Sequence, residues 1–207
     1  ISIVSNPTTT VPTTTSSTST PRLVGRWGTK VDQLIQDLLQ LTHDPERCAE
    51  KAIVFSQWVE MIDIVSEALR SNQIKYSRCV NRSKDFLNTG TLEQYRNDTT
   101  IRVLVMPLSL GAEGLDLIIA NHIYLLEPLL NIHQEAQAVN RINRLGQHQQ
   151  TYIHKYILSN TIEEKIINIQ EKQRMNRESK MTPTLVKRAR TQRDDEYLSA
   201  DELQYVL

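Results

Sequence analysis

The sequence has no charge surplus of either sign: 24 lysines and arginines face 24 aspartates and glutamates in 207 residues. No chain-wide basic field announces nucleic acid and no acidic field announces a solvating tail, so any charged partner has to be met by a local cluster. Cysteine is scarce. Cys48 and Cys79 stand far apart, without Cys-x-x-Cys spacing or clustered histidine, and supply neither a disulfide framework nor the ligands of a structural zinc. That usage fits a reducing, intracellular compartment. No apolar run approaches the roughly 18 residues of a membrane span, and Ile1–Ser5 carry neither an initiator Met nor the basic start of a signal peptide. The expectation is the C-terminal piece of something longer. Aromatic residues make up only 5%, and with no interleaved basic and aromatic patch around them Trp27 and Trp58 are expected to be packing anchors rather than base-stacking platforms.

What is present, 39% hydrophobic and 23% charged residues, suits one globular domain with loose ends. Eleven of the thirteen residues from Thr8 to Thr20 are Ser or Thr, which leaves nothing to bury against the entropy of ordering. Residues 1–24 are therefore expected to be a disordered linker. At the other end, residues 161–193 hold nine Lys/Arg against four Asp/Glu, and 194–207 hold five acids and no base. This extension, 174–207, reads either as a solvated helix with an acidic tail or as a basic brace near a nucleic-acid backbone.

Between these ends, in 25–173, helical and strand patterns alternate. Val31, Leu34, Ile35, Leu38 and Leu39 are spaced for a helix over Lys30–Leu41 with Thr29 as N-cap. Ala52-Ile53-Val54-Phe55 is a buried-strand run, and Trp58, Met61, Ile62, Val65, Ala68 and Leu69 restore the helical period after it. Further strands are expected at Ile74–Val80, Ile101–Val105, His122–Leu126 and Tyr152–Leu158, with helices near Leu92–Arg96, over Gln134–Asn143 and from Thr161 onward. Strands separated by helices imply an α/β fold with a parallel sheet covered on both faces, and ligands of such sheets sit outside the carboxyl ends of the strands.

Those ends carry Ser56-Gln57-Trp58, then Met106 to Asp116 with Gly111 and Gly114, then Glu127-Pro128. Glycines here suit either close approach to a phosphate or ordinary turns and caps. Arg141 and Arg144, three apart on one helical face that ends at Gly146, can converge on a phosphate through planar, permanently charged forks. Alternatively they only favour the helix macrodipole. His122 and His154 fall on strands, His133 and His148 in loops, and none is expected to find a nucleophile or a second ligand.

The string Gln137-Ala138-x-x-Arg141-x-x-Arg144-x-Gly146-Gln147 resembles motif VI of the sucrose-non-fermenting (SWI/SNF-like) family of helicase-related DNA translocases. Ile53 to Trp58 resembles motif IV, Leu108 to Leu117 resembles motif V, and Thr161 to Ile166 resembles the helix after the last strand, so the likeness spans Gly28 to Gln173. Leu126-Glu127-Pro128-Leu129-Leu130-Asn131 and the acidic tail are most similar to the branch of RING-containing E3 ubiquitin ligases.

The resemblance implies a RecA-like second lobe of a two-lobed motor that closes over ATP and Mg²⁺ while gripping duplex DNA. It implies that Arg141 and Arg144 act as arginine fingers on the γ-phosphate, that Gln137 orders their helix, and that Gly114 and Asp116 lie against the nucleotide. Ser56, Gln57 and Ser109 become candidates for DNA phosphate contacts. The chain contains no Gly-x-x-x-x-Gly-Lys-Ser/Thr loop and no Asp-Glu-x-His box, so the parts that cradle the triphosphate and hold Mg²⁺ are expected on a first lobe of the same protein. The implied partners are that lobe, double-stranded DNA or nucleosomes, and a ubiquitin-conjugating enzyme through an upstream RING, with no membrane and a nuclear location.

The pattern departs from the family at Asn143, where His is usual, at Asn140, which replaces a smaller or acidic residue, and at Glu113, often Gly or Ala. Val80 to Thr89 matches no family stretch, and contacts carried there do not transfer. Two rival readings stand beside the motor: a catalytically silent nucleotide- and DNA-binding scaffold, and a Rossmann-like enzyme with Asp116 on a ribose. The second is disfavoured by the absence of Gly-x-Gly-x-x-Gly after the first strand.

Overall fold

The computed structural model describes residues 2–3, 22–80, 90–111, 117–129, 132–142 and 150–180. Along the chain run β1 (Ser2–Ile3), α1 (Thr29–His43), a 3₁₀ turn (Pro45–Arg47), β2 (Ala52–Ser56), α2 (Val59–Ser71), β3 (Tyr76–Arg78) and α3 (Thr91–Asn97). There follow β4 (Val103–Pro107), the short α4 (Leu108–Gly111), β5 (His122–Leu125), α5 (Ile132–Ile142), β6 (Tyr152–Ile157) and α6 (Ile162–Lys180). The sheet order is β1-β6-β5-β2-β4-β3. Five strands are parallel, as the helix–strand alternation predicts, and β1 pairs antiparallel with the outer edge of β6.

β2 is central because every one of its residues is buried and it has a parallel neighbour on each side, Phe55 lying opposite Met106 on β4 and Leu125 on β5. Alternation along the strands splits the core into two layers. Ala52, Val54, Val103, Val105 and Tyr124 face α1 and α2, packing on Leu34, Leu38, Ile62 and Leu69. Ile53, Phe55, Leu104, Met106 and Ile123 face the other way, onto Tyr95 of α3 and Ile142 of α5. Among the described residues no helix is long and apolar enough to cross a membrane.

Three local expectations are corrected. α1 begins at Thr29, and its N-cap is Gly28 at φ 95° with no side-chain cap; the chain turns into the helix through a conformation that glycine alone adopts cheaply, while Asp32 accepts the Trp27 N–H at 2.8 Å. Trp58 is 61% exposed, because it occupies the extended N-cap of α2 rather than the helix's buried stripe; Trp27 does pack on the core. His133 falls inside α5, not in a loop. Residues Leu23 and Val24, at the edge of the expected linker, dock on the fold: Leu23 packs against the α1 layer, and Asn72 on the α2 C-cap both accepts the Val24 N–H at 2.7 Å and donates to its carbonyl at 3.0 Å.

The short α4 is pressed onto β2. A Cβ built on Gly111 would come within 2.5 Å of the Phe55 Cε1 atom, and Phe55 is itself buried, so its ring has to shift within the core to make way. Gly111→Ala is expected to destabilise the fold by about 1–3 kcal/mol, the usual magnitude of overpacking, read as a lower midpoint in urea. An unchanged midpoint would mean that α4 is not seated as described.

Candidate functional site

At the carboxyl end of β2 the chain passes from a buried serine to an exposed turn. The Ser56 hydroxyl accepts the Trp58 N–H at 3.0 Å and donates to Glu127 Oε1 at 2.9 Å, and the Gln57 N–H donates to Glu127 Oε2 at 3.0 Å. Glu127, two residues past β5, thus takes both donors of the turn, and the Gln57 side chain adds a bond to the Pro128 carbonyl at 3.2 Å. Burial pushes the Glu127 carboxyl above its ordinary range, against the lowering pull of the Gln57 and Ser56 hydrogen bonds. Ser56, Gln57 and Glu127 line one crevice with Leu108 and Leu129.

Beneath this turn lies a buried lysine. Lys30 Nζ donates to the Leu126 carbonyl at 2.6 Å and pairs with Glu163 Oε1 at 2.5 Å, while Glu163 Oε2 accepts the Leu158 N–H at 2.9 Å. A single cation therefore joins the start of α1, the end of β5 and the start of α6. α6 begins at Ile162, one residue after the expected Thr161, which instead caps it, its Oγ1 accepting the Glu163 N–H at 3.2 Å. Farther along, the Gln170 amide donates to the Leu129 carbonyl.

Of the residues expected at the site, Ser56 is 2% exposed with its hydroxyl engaged, whereas Gln57 and Ser109 are exposed. α4, which carries Ser109, packs against α5. On α5, Ala136, Gln137 and Asn140 are exposed, leaving one face uncovered, and position 141 follows one turn after Gln137. Lys155 on β6 pairs with Glu135 and ties this helix to the sheet. Arg141 belongs to α5 by its backbone, but its side chain lies outside the described residues, as do Gly114, Asp116 and Arg144 entirely. Among the described residues, no three His, Cys, Asp or Glu side chains gather as a metal site.

Sequence reasoning placed Glu127 at a strand end without naming what it touches, and missed Lys30 and Glu163. It also missed a cluster at the opposite, amino-terminal end of the sheet. His122 is 1% exposed; its Nε2 lies 2.8 Å from Glu50 Oε2 and 2.9 Å from Arg47 Nη2, and its Nδ1 lies 3.2 Å from His154 Nε2. The ring stacks on Tyr152 at 5.0 Å between centroids, and His154 stacks on Tyr124 at 4.5 Å. The Nε2 atom thus faces a donor-only guanidinium and an acceptor-only carboxylate at once, so it serves Glu50 when protonated and Arg47 when not, and the tautomer decides which. Burial pulls His122 down to about 4, with Arg47 and His154 acting in the same sense against Glu50. For Glu50 burial acts upward but is outweighed by the bonds from His122 and Arg47, and the carboxyl ends below its ordinary range.

Comparison with known proteins adds a lineage to this geometry. The family described as "Helicase conserved C-terminal domain" matches residues 30–146. The DNA repair protein rad8 of Schizosaccharomyces pombe is 37% identical over 143 residues, covering 69% of this chain and 12% of that protein. The human E3 ubiquitin-protein ligase SHPRH is 36% identical over 143 residues, again 69% of this chain and 8% of that protein. The crystal structure of the C-terminal part of the Fun30 ATPase domain superposes with a TM-score of 0.62 at 26% identity, covering 67% of this chain and 44% of that one. The chain thus spans about a tenth of the curated relatives it matches, and the RecA-like reading of the sheet agrees with the solved neighbour. With more than half of its length inside the family match, the chain belongs to the helicase conserved C-terminal domain family, as a second lobe of the sucrose-non-fermenting type.

Proposed function

We infer that this lobe is the C-terminal half of an ATP-dependent double-stranded-DNA translocase of the DNA repair or chromatin-remodelling kind, acting with a first lobe of the same protein. The observation that carries the reading is the gathering, at one end of a parallel sheet, of the Ser56–Gln57 turn and of the Ser109-bearing α4 with α5 packed on it. Ligands of such sheets bind there. In this reading Gln57 and Ser109 face a DNA phosphate together with Ser56, and such contacts position the lobe without reading sequence. The uncovered face of α5 meets the nucleotide, with Gln137 on it, Gly114 and Asp116 nearby, and Arg141 and Arg144 as arginine fingers that stabilise charge developing on the transferred phosphoryl group. ATP supplies that group, and the Mg²⁺ ligands and phosphate loop are assigned to the first lobe. Rad8 by name is a DNA repair protein and SHPRH an E3 ubiquitin ligase; their likeness supports a nuclear site of action and a RING-containing whole with a ubiquitin-conjugating partner.

The test compares this chain alone with the two-lobed protein. Alone, it is expected to bind duplex DNA without sequence preference, log affinity falling linearly with log salt by about 0.9 per phosphate neutralised, and to show no DNA-stimulated ATP hydrolysis. Turnover is expected only with the first lobe present. Robust hydrolysis by the chain alone after repurification, or a marked preference for one base sequence at fixed salt, would sink the reading.

A further inference from the structure

The turn that the proposed function offers to DNA is already occupied from within. Its two donors, the Ser56 hydroxyl and the Gln57 N–H, converge on the two oxygens of one carboxylate at 2.9 and 3.0 Å. Two donors reaching two oxygens of one planar anion is the arrangement a phosphate also accepts. Glu127 is half-buried and lines a crevice that opens at the turn, so the anion that fills this seat belongs to the protein yet stands at its surface. A phosphate cannot share the seat, because two anions in contact there repel and both donors are already bound to the carboxylate. We propose that Glu127 is a latch on the DNA seat: its carboxylate competes with a backbone phosphate for Ser56 and Gln57, and the lobe grips DNA at this turn only when the phosphate displaces it.

The surroundings suit a latch. The backbone behind Glu127 is pinned, Leu126 by Lys30 and Leu129 by Gln170, so the carboxylate can leave without dragging the end of β5. The turn itself is held by the bond between the Trp58 N–H and Ser56 Oγ, which does not involve Glu127. Trp58 and Val59 beside the seat are themselves exposed.

This inference rests on the DNA reading above, and the experiment separates the two. Duplex affinity is measured by fluorescence anisotropy with a short labelled duplex at fixed salt, for the 207-residue chain and for Glu127→Gln, Ser56→Ala, the double variant and Glu60→Gln. Glu60, exposed in the first turn of α2, reports the effect of merely removing one negative charge. Glu127→Gln is expected to tighten binding roughly fivefold, the size of one hydrogen-bond competition relieved, and by clearly more than Glu60→Gln. Ser56→Ala is expected to cost several-fold more in the Glu127→Gln background than in the parent, since the hydroxyl reaches phosphate only once the latch is open, while the lost bond to the Trp58 N–H weighs equally in both. Weaker binding by Glu127→Gln, or a Ser56→Ala cost equal in both backgrounds, overturns the latch while leaving the DNA reading standing. Absence of salt-dependent duplex binding in every protein overturns both. Should Glu127→Gln lose its fold by circular dichroism, the parent decides. Its Gln57 amide resonance in a ¹⁵N spectrum is expected to shift on adding duplex, because the acceptor changes, and a stationary resonance at saturation rejects the latch.

Discussion

In the two-lobed protein, Arg144→Ala is expected to lower kcat for DNA-stimulated ATP hydrolysis by about 10³-fold or more, the range measured for arginine fingers in other phosphoryl-transfer systems, with the melting temperature nearly unchanged. The loss belongs in turnover rather than in nucleotide affinity, because a finger acts on charge that develops in the transition state. Arg144→Lys is expected to fail almost as badly, since a point charge does not reproduce the planar multi-donor fork. If the two arginines only favoured a helix macrodipole, lysine would serve as well and alanine would cost about 0.3–1 kcal/mol of stability. Measuring kcat, KM and melting temperature for both variants separates the cases: normal turnover in Arg144→Lys, or a fall in stability that accounts for the lost activity, rejects the finger assignment.

The second large effect is on stability in acid. His122 is buried among Arg47 and Glu50 from the loop before β2 and His154 and Tyr152 from β6, with Tyr124 beside it; Asp37 on α1, bonded to the Tyr156 hydroxyl, lies along the same face. Its pKa stands at about 4 in the fold, chiefly through burial, against 6.5 when exposed. Between those values the unfolded chain binds the proton that the folded one refuses, so stability rises with pH there. The contribution is fully present above pH 6.5 and is lost as pH falls through 4. Taken at about 1.4 kcal/mol per unit, it amounts to something on the order of 3 kcal/mol. Glu50, held below its ordinary range by the bonds from His122 and Arg47, adds a loss of the same sign at still lower pH. Urea unfolding between pH 7.5 and 4.5 is expected to show this slope, and His122→Gln to remove about one proton's worth of it. An identical slope in that variant would show that the imidazole is not held neutral by the fold.

Much of the fold was legible because its signals are local. Ile53 and Phe55 against Ala52 and Val54, or the spacing of Ile62, Val65 and Leu69, each declare a strand or a helix within a few residues of chain. The site was legible only as a place: the rule that ligands gather at strand ends points to Ser56–Gln57 and to α4, but not to what they touch. Glu127 meets Ser56 because β5 lies beside β2, and His122 meets His154 because Tyr124 pairs with His154 across β5 and β6. Such registers are decided by the assembled sheet, and nothing near residue 56 encodes its partner 71 residues away. Trp58 misled for the converse reason. It continues the helical spacing of Met61 and Ile62, yet one residue before a helix the backbone is extended and the side chain leaves the stripe.

The position of β2 at the centre of the sheet also bears on how the chain is made. β2 is the first of the five parallel strands to be synthesised, yet both of its neighbours come later, β4 within about fifty residues and β5 about seventy residues on. At a ribosome's pace of about 5–20 residues per second, the Ala-Ile-Val-Phe run spends several seconds with both edges bare. During that interval α1 and α2 can cover one of its faces but not its hydrogen-bonding edges, so the nascent lobe carries an adhesive strand that only the arrival of residues 103–125 can close. A chain released before β5 has emerged keeps that edge open, a template on which any other strand can pair.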